Sequence, residues 1–87
     1  MLRIRRSANG EVVFTLSGQM DEESIAELET QINSEEKERR IVLNLKDLTL
    51  VNEDAIRFLV RCEANSITLE NCPAYVREWI KVERRES

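Results

Sequence analysis

The chain has 87 residues, enough for one small domain, and its 41% hydrophobic and 34% charged content fits a folded soluble chain rather than a disordered one. A formal charge of −4 argues against nucleic-acid binding, because the pairs Arg5-Arg6, Arg39-Arg40 and Arg84-Arg85 sit at element ends among acids and form no basic stripe. The absence of histidine, together with only two glycines and two unpaired-looking cysteines, leaves no zinc spacing and no phosphate-cradling loop.

In chain order, Leu2 to Arg5 alternates apolar and charged residues as an edge strand does, and Ser7-Ala8-Asn9-Gly10 is a turn in which Asn-Gly signals a hairpin. Val12 to Leu16 is the returning strand, and Gly18 breaks its pattern. Asp21 then caps a first helix, with Glu22 and Glu23 at the positive end of the helix dipole. Met20 and Ile25 have the spacing of a hydrophobic staple, and Ile25, Leu28 and Ile32 fall on one face. The run 33–38 reads as the helix end and a polar loop.

Ile41 to Leu45 is a central strand that passes through a short turn into a second helix capped by Asn52. Val51 and Ile56 repeat the staple spacing. Ala55, Ile56, Leu59 and Cys62 form the buried stripe of this helix, with Val60 at its margin. Asp54, Arg57, Phe58 and Arg61 lie toward the opposite side, and Asn65 is the expected stop. Ile67-Thr68-Leu69 is a short strand, and Pro73 suits the first turn of a third helix. Val76, Trp79 and Ile80 give that helix its apolar stripe, with Tyr75 and Val82 beside it and 83–87 expected to fray. The order ββαβαβα predicts a single α/β domain over 1–87: a four-stranded mixed sheet, its first strand antiparallel, with helices packed over one face.

The chemistry of the chain centres on the junction between the central strand and the second helix. Glu53 and Asp54 there have a sufficient structural explanation as acids at a helix N-terminus, each worth about 0.3–1 kcal/mol, with Arg57 in reach of both. They also compose, with Asn52, Arg57, Phe58 and Arg61, a charged patch around an exposed Phe, the chemistry of a protein-docking anchor. No serine has a hydrolase-type context, and neither a metal nor a cofactor is implied, so an enzyme is not expected. No apolar run is long enough to cross a bilayer, and the first residues, MLRIRRSANGE, do not resemble a signal peptide. A cytoplasmic protein with reduced Cys62 and Cys72 is the resulting expectation. A homodimer through the last helix, where Tyr75 and Trp79 sit, stays open.

Three stretches together resemble a STAS domain, the fold of bacterial anti-sigma factor antagonists and of the cytosolic tails of sulfate transporters. They are Val12 to Asp21, Ile41 to Val51 and Asn71 to Ile80, and they occur in the family's order. The resemblance implies a signalling module that binds a protein partner: an anti-sigma-type kinase, or a sensor or transporter component. It also implies that Asp54 occupies the place of the serine that the kinase phosphorylates, with Glu53 as its neighbour. Asn52 replaces the family's aspartate and Ala55 its glycine, and no phosphorylatable serine remains here. A fixed carboxylate mimics a phosphate only in part, since it carries less charge and fewer acceptor oxygens. The resemblance also permits another class of function, a nucleotide- or lipid-sensing domain or an accessory of lipid transport.

Overall fold

The computed structural model describes residues 2–36 and 38–86. Lys37 of the expected polar loop and Ser87 of the expected frayed end lie outside them. The elements follow the predicted order: β1 (Leu2–Asn9), β2 (Glu11–Met20), α1 (Glu22–Asn33), β3 (Ile41–Val51), α2 (Glu53–Ala64), β4 (Thr68–Glu70) and α3 (Ala74–Glu86). The four strands form one mixed sheet in the order β1-β2-β3-β4. β1 is antiparallel to β2, while β3 runs parallel to both β2 and β4.

The hairpin reverses at Gly10, whose φ of +88° is left-handed backbone that favours glycine. Ala8 faces Val12 and Asn9 faces Glu11, so strand pairing runs up to the turn and β1 is longer than its alternating pattern suggested. Gly18 does not end β2. It sits at φ +96° beside a register shift, and the strand continues through this bulge to Met20. β3 also outruns its expected end at Leu45. The pair Lys46-Asp47 reads as a turn but is an exposed stretch of strand, and Leu48 and Val51 beyond it return to the core.

Val12, Phe14 and Leu16 alternate with half-buried Val13, Thr15 and Ser17, so one face of the sheet carries the helices. That face contributes Phe14, Leu16, Leu43 and Leu45 to the core, and the helices contribute Leu28, Ile56, Leu59 and Val76. All four residues of the predicted staples, Met20, Ile25, Val51 and Ile56, are buried in the one core cluster. Cys62 is a free, buried thiol whose pKa burial pushes up to about 12, so it behaves as a small hydrophobe; Cys72 is free and half-buried. Pro73 immediately precedes α3, and its carbonyl accepts the first helical bond from the Arg77 amide at 3.0 Å. At the other end α3 stays helical through Glu86, where fraying was expected from Glu83, because two contacts hold it to α2: Arg84 with Glu63, and Glu83 with Arg57.

Candidate functional site

β2 and β3 are parallel neighbours, and their last residues, Met20 and Val51, are in register. Each strand runs directly into a helix, so the N-termini of α1 and α2 come to lie side by side at the carboxyl ends of these strands. Asp21 and Asn52 are the two N-caps. Asp21 Oδ1 accepts from the Ser24 amide at 3.0 Å and from the Ser24 hydroxyl at 2.8 Å, and these two bonds hold its carboxyl below the usual carboxylate range. Asn52 Oδ1 accepts from the Ala55 amide at 2.8 Å.

The convergence of the two helix ends brings first-turn acids together. Glu22 and Asp54 line the same groove, close enough for their carboxyl groups to interact. That interaction and the charge of Asp54 raise the pKa of Glu22 above its ordinary value, as expected when two carboxyls share one place. Asp54, which the resemblance sets at the place of the phosphorylated serine, is exposed, as are Asn52 and Glu53.

The two arginines of the predicted patch are exposed and internally paired. Arg57 donates to Glu53 one turn earlier at 2.5 Å and lies 3.9 Å from Glu83 on α3. Arg61 donates across to Glu29 on α1 at 3.2 Å. These contacts make α2 the middle rib of a three-helix surface. Glu22 and Ile25 from α1, Asp54, Arg57, Val60 and Arg61 from α2, and Glu83 from α3 line an open groove of about 560 Å³.

Phe58 does not belong to that groove. It is 3% exposed and part of the core, which corrects the expectation of an exposed anchor. Helix α2 packs between its neighbours as well as onto the sheet, so its apolar arc spans Ala55, Ile56, Phe58, Leu59 and Cys62 and is wider than a single stripe. The Arg61 guanidinium lies 5.9 Å from the Phe58 ring centroid while its tip reaches Glu29, and so covers the ring from outside. Of the six predicted patch residues, Asp54, Arg57 and Arg61 line the groove, Asn52 and Glu53 are exposed at the start of α2, and Phe58 is buried. The sequence reading missed Glu22, Ile25, Val60 and Glu83. Parallel pairing of β2 with β3 is the signal that places Glu22 beside Asp54. Among the described residues, no group of three or more histidine, cysteine or acidic side chains is arranged to hold a metal, and no helix is long and apolar enough to cross a membrane.

A mixed four-stranded sheet covered on one face by helices, with a capped acidic junction after its central strand, defines a small α/β module with a STAS-like fold. The family model of the STAS domain matches residues 3–65, most of the chain and all of the junction, and the chain belongs to that family. STAS domains are in general binding and regulatory modules rather than enzymes, and they commonly mediate protein–protein interactions. A crystal structure of Mglu superposes with a TM-score of 0.62 at 18% identity, over 83% of this chain and 19% of Mglu, and at that identity the likeness is one of fold. This chain therefore corresponds to about a fifth of the length of Mglu. No protein of curated function matches the sequence.

Proposed function

We propose that this STAS domain is a non-enzymatic interaction module of bacterial signalling, of the anti-sigma-factor-antagonist kind, that docks a protein partner along the α2 groove without regulation by phosphorylation at Asp54. The observation that carries this reading is the groove itself. It opens at the family's junction, has an apolar floor in Ile25 and Val60, and is rimmed by exposed charge. Asn52, Glu53, Asp54, Arg57 and Arg61 form the contact ridge, and Phe58 supports it from below. The acids Glu22, Glu53, Asp54 and Glu83 outnumber the arginines and already satisfy Arg57, so the surface favours a partner that brings basic and apolar side chains. An anti-sigma-type kinase, a sensor assembly or the cytosolic part of a transporter can supply such a surface.

The test is capture from a lysate of the native cell with wild type, Arg57→Glu and Asp54→Ser. A partner retained by wild type and lost with Arg57→Glu supports the groove, provided that the variant melts within a few degrees of wild type. Tighter capture by Asp54→Ser adds that the carboxylate acts as a standing partial phosphate mimic. Equal capture by wild type and both variants refutes the surface. The size of the groove favours one second reading, because about 560 Å³ lies in the range of small-molecule sites. A nucleotide or fatty acid that binds there raises the melting temperature in a thermal-shift panel, whereas a pure protein-docking groove gives no shift.

A further inference from the structure

A second pocket, of about 300 Å³, opens where α3 meets the end of α2 and β4, and it shares no residue with the docking groove. Its floor is apolar: Ile80 is buried, and Leu69 and Cys72 are half-buried. One ridge of α3 forms its wall and carries Arg77, Lys81 and Arg84, each three or four residues from the next and all exposed. Glu63 of α2 is the single acid in the lining among the described residues, and Arg84 engages it. Arg77 forms no ion pair among the described residues, and the positions three and four away from it, Pro73, Ala74, Ile80 and Lys81, hold no acid. Lys81 reaches Glu78 at 3.7 Å, outside the pocket and between side chains more than half exposed.

Cations three and four residues apart on a helix repel one another. The chain holds 17 acids against 13 bases, so a ridge of three cations with one matched acid in reach runs against its composition. Arg39 does not repeat the arrangement, since it shares its pocket with Glu35 and Glu36. With Arg84 balanced by Glu63, the charges of Arg77 and Lys81 stand over an apolar floor. We propose that this pocket binds a small organic phosphate monoester, its phosphate held between Arg77 and Lys81 and its apolar body resting on Leu69 and Cys72. A phosphate monoester carries a charge of about −1.5 to −2 at neutral pH and so matches two cations, whereas a single carboxylate leaves one of them unmatched. Residues four apart on a helix have their Cβ atoms about 5–6 Å from each other, close enough for both side chains to close on one phosphate. The planar guanidinium of Arg77 takes two phosphate oxygens side by side, and Lys81 adds a point charge. A volume of about 300 Å³ is at the small end of ligand sites, which suits a body of one ring or a short chain.

An NMR titration of the full, isotope-labelled chain with phenyl phosphate, at neutral pH and low salt, tests the proposal. Saturable amide shifts are expected around Leu69, Cys72, Arg77 and Lys81, with a Kd on the order of 0.1–1 mM that weakens as salt is added. Arg77→Gln and Lys81→Gln each raise Kd by about tenfold. Both side chains are exposed, so both variants melt within a few degrees of wild type. Benzoate, which has one charge, and inorganic phosphate, which has no apolar body, each bind about tenfold more weakly than phenyl phosphate. Cys72 supplies an independent readout. Saturating phenyl phosphate slows its alkylation by neutral iodoacetamide several-fold in wild type and not in Arg77→Gln, while buried Cys62 stays unreacted. The absence of a saturable shift up to about 10 mM overturns the site. So do shifts spread equally over Arg3, Arg5 and Arg40, or a Kd indifferent to both variants. Inorganic phosphate or benzoate binding as tightly as phenyl phosphate overturns the assignment of an organic phosphate. Tighter binding of a phosphotyrosine peptide overturns the free small molecule in favour of a phosphorylated protein. The α2 groove takes no part, so this test and the capture experiment fail independently.

Discussion

Phe58→Ala separates two views of α2. If Phe58 were an exposed docking anchor, its truncation would cost binding and leave the fold nearly untouched. In the structure it is 3% exposed, packed in the core and roofed by Arg61. Truncating a buried Phe removes its transfer free energy and leaves a cavity, together about 3–5 kcal/mol. An 87-residue domain has a total stability of roughly 4–13 kcal/mol, so the loss takes a large share of it. At about 4–8 °C per kcal/mol for a domain of this size, the melting temperature falls by about 12–40 °C. The control is Arg61→Ala. Its side chain is 64% exposed; loss of the Glu29 pair and of the cation–π contact amounts to about 1 kcal/mol. Thermal melts followed by far-UV circular dichroism, with urea titrations to compare midpoints at constant m, measure both variants. A Phe58→Ala protein that melts within about 5 °C of wild type refutes the burial argument and returns Phe58 to the surface patch.

Two further outcomes follow from the junction. Asn52→Ala removes the acceptor for the Ala55 amide and is expected to cost about 1 kcal/mol, whereas Asn52→Asp keeps the cap and stays near wild type in the same urea titration; equal stability of all three proteins would mean that the cap contributes nothing. The Glu22–Asp54 interaction sets a pH dependence with a definite sign. Because the folded-state pKa of Glu22 is raised, the folded chain binds more protons than the unfolded chain from about 4.5 upward to that raised value, and stability is lost as pH climbs through this window. Asp21 and Glu35 are shifted downward, so their contributions run the other way: present above the unfolded pKa values and lost as pH falls through the folded ones. Glu22→Gln therefore gains stability relative to wild type between pH 4 and pH 7 in paired melting curves, and a difference that stays constant or reverses disproves the carboxyl interaction.

Much of the fold was legible in the sequence because the signals were local. The caps Asp21 and Asn52, the staples around them and the hairpin glycine each depend on residues within one turn of chain; the caps and the turn formed as read, and the staple residues are buried. Phe58 was misread because a face assignment assumes one apolar stripe. The packing that widens the stripe involves α1, whose Glu29 and Ile32 lie beside Phe58, and a single helix pattern does not contain it. β3 was read short because Lys46-Asp47 is polar. An exposed strand segment is locally indistinguishable from a turn until its far end, at Leu48 and Val51, is seen to re-enter the core. Glu22 could not be assigned to the site from its own neighbourhood, since its partner lies on another helix and only strand order brings the two together.

That same strand order explains why the junction is acidic at all. Two parallel strands side by side deliver two helix N-termini to one place, and the positive ends of both dipoles act on whatever stands there. Anionic groups are favoured at such a place, whether a phosphate on a serine or a carboxylate in the chain. Here the chain supplies its own, from both helices, until Glu22 and Asp54 crowd each other and one of them holds its proton longer than usual. Arg57 does not relieve this crowding, because Glu53 and Glu83 already engage it. The anion-binding capacity of the junction is thus filled from within. A phosphate brought to this junction would meet Glu22 rather than an empty cradle.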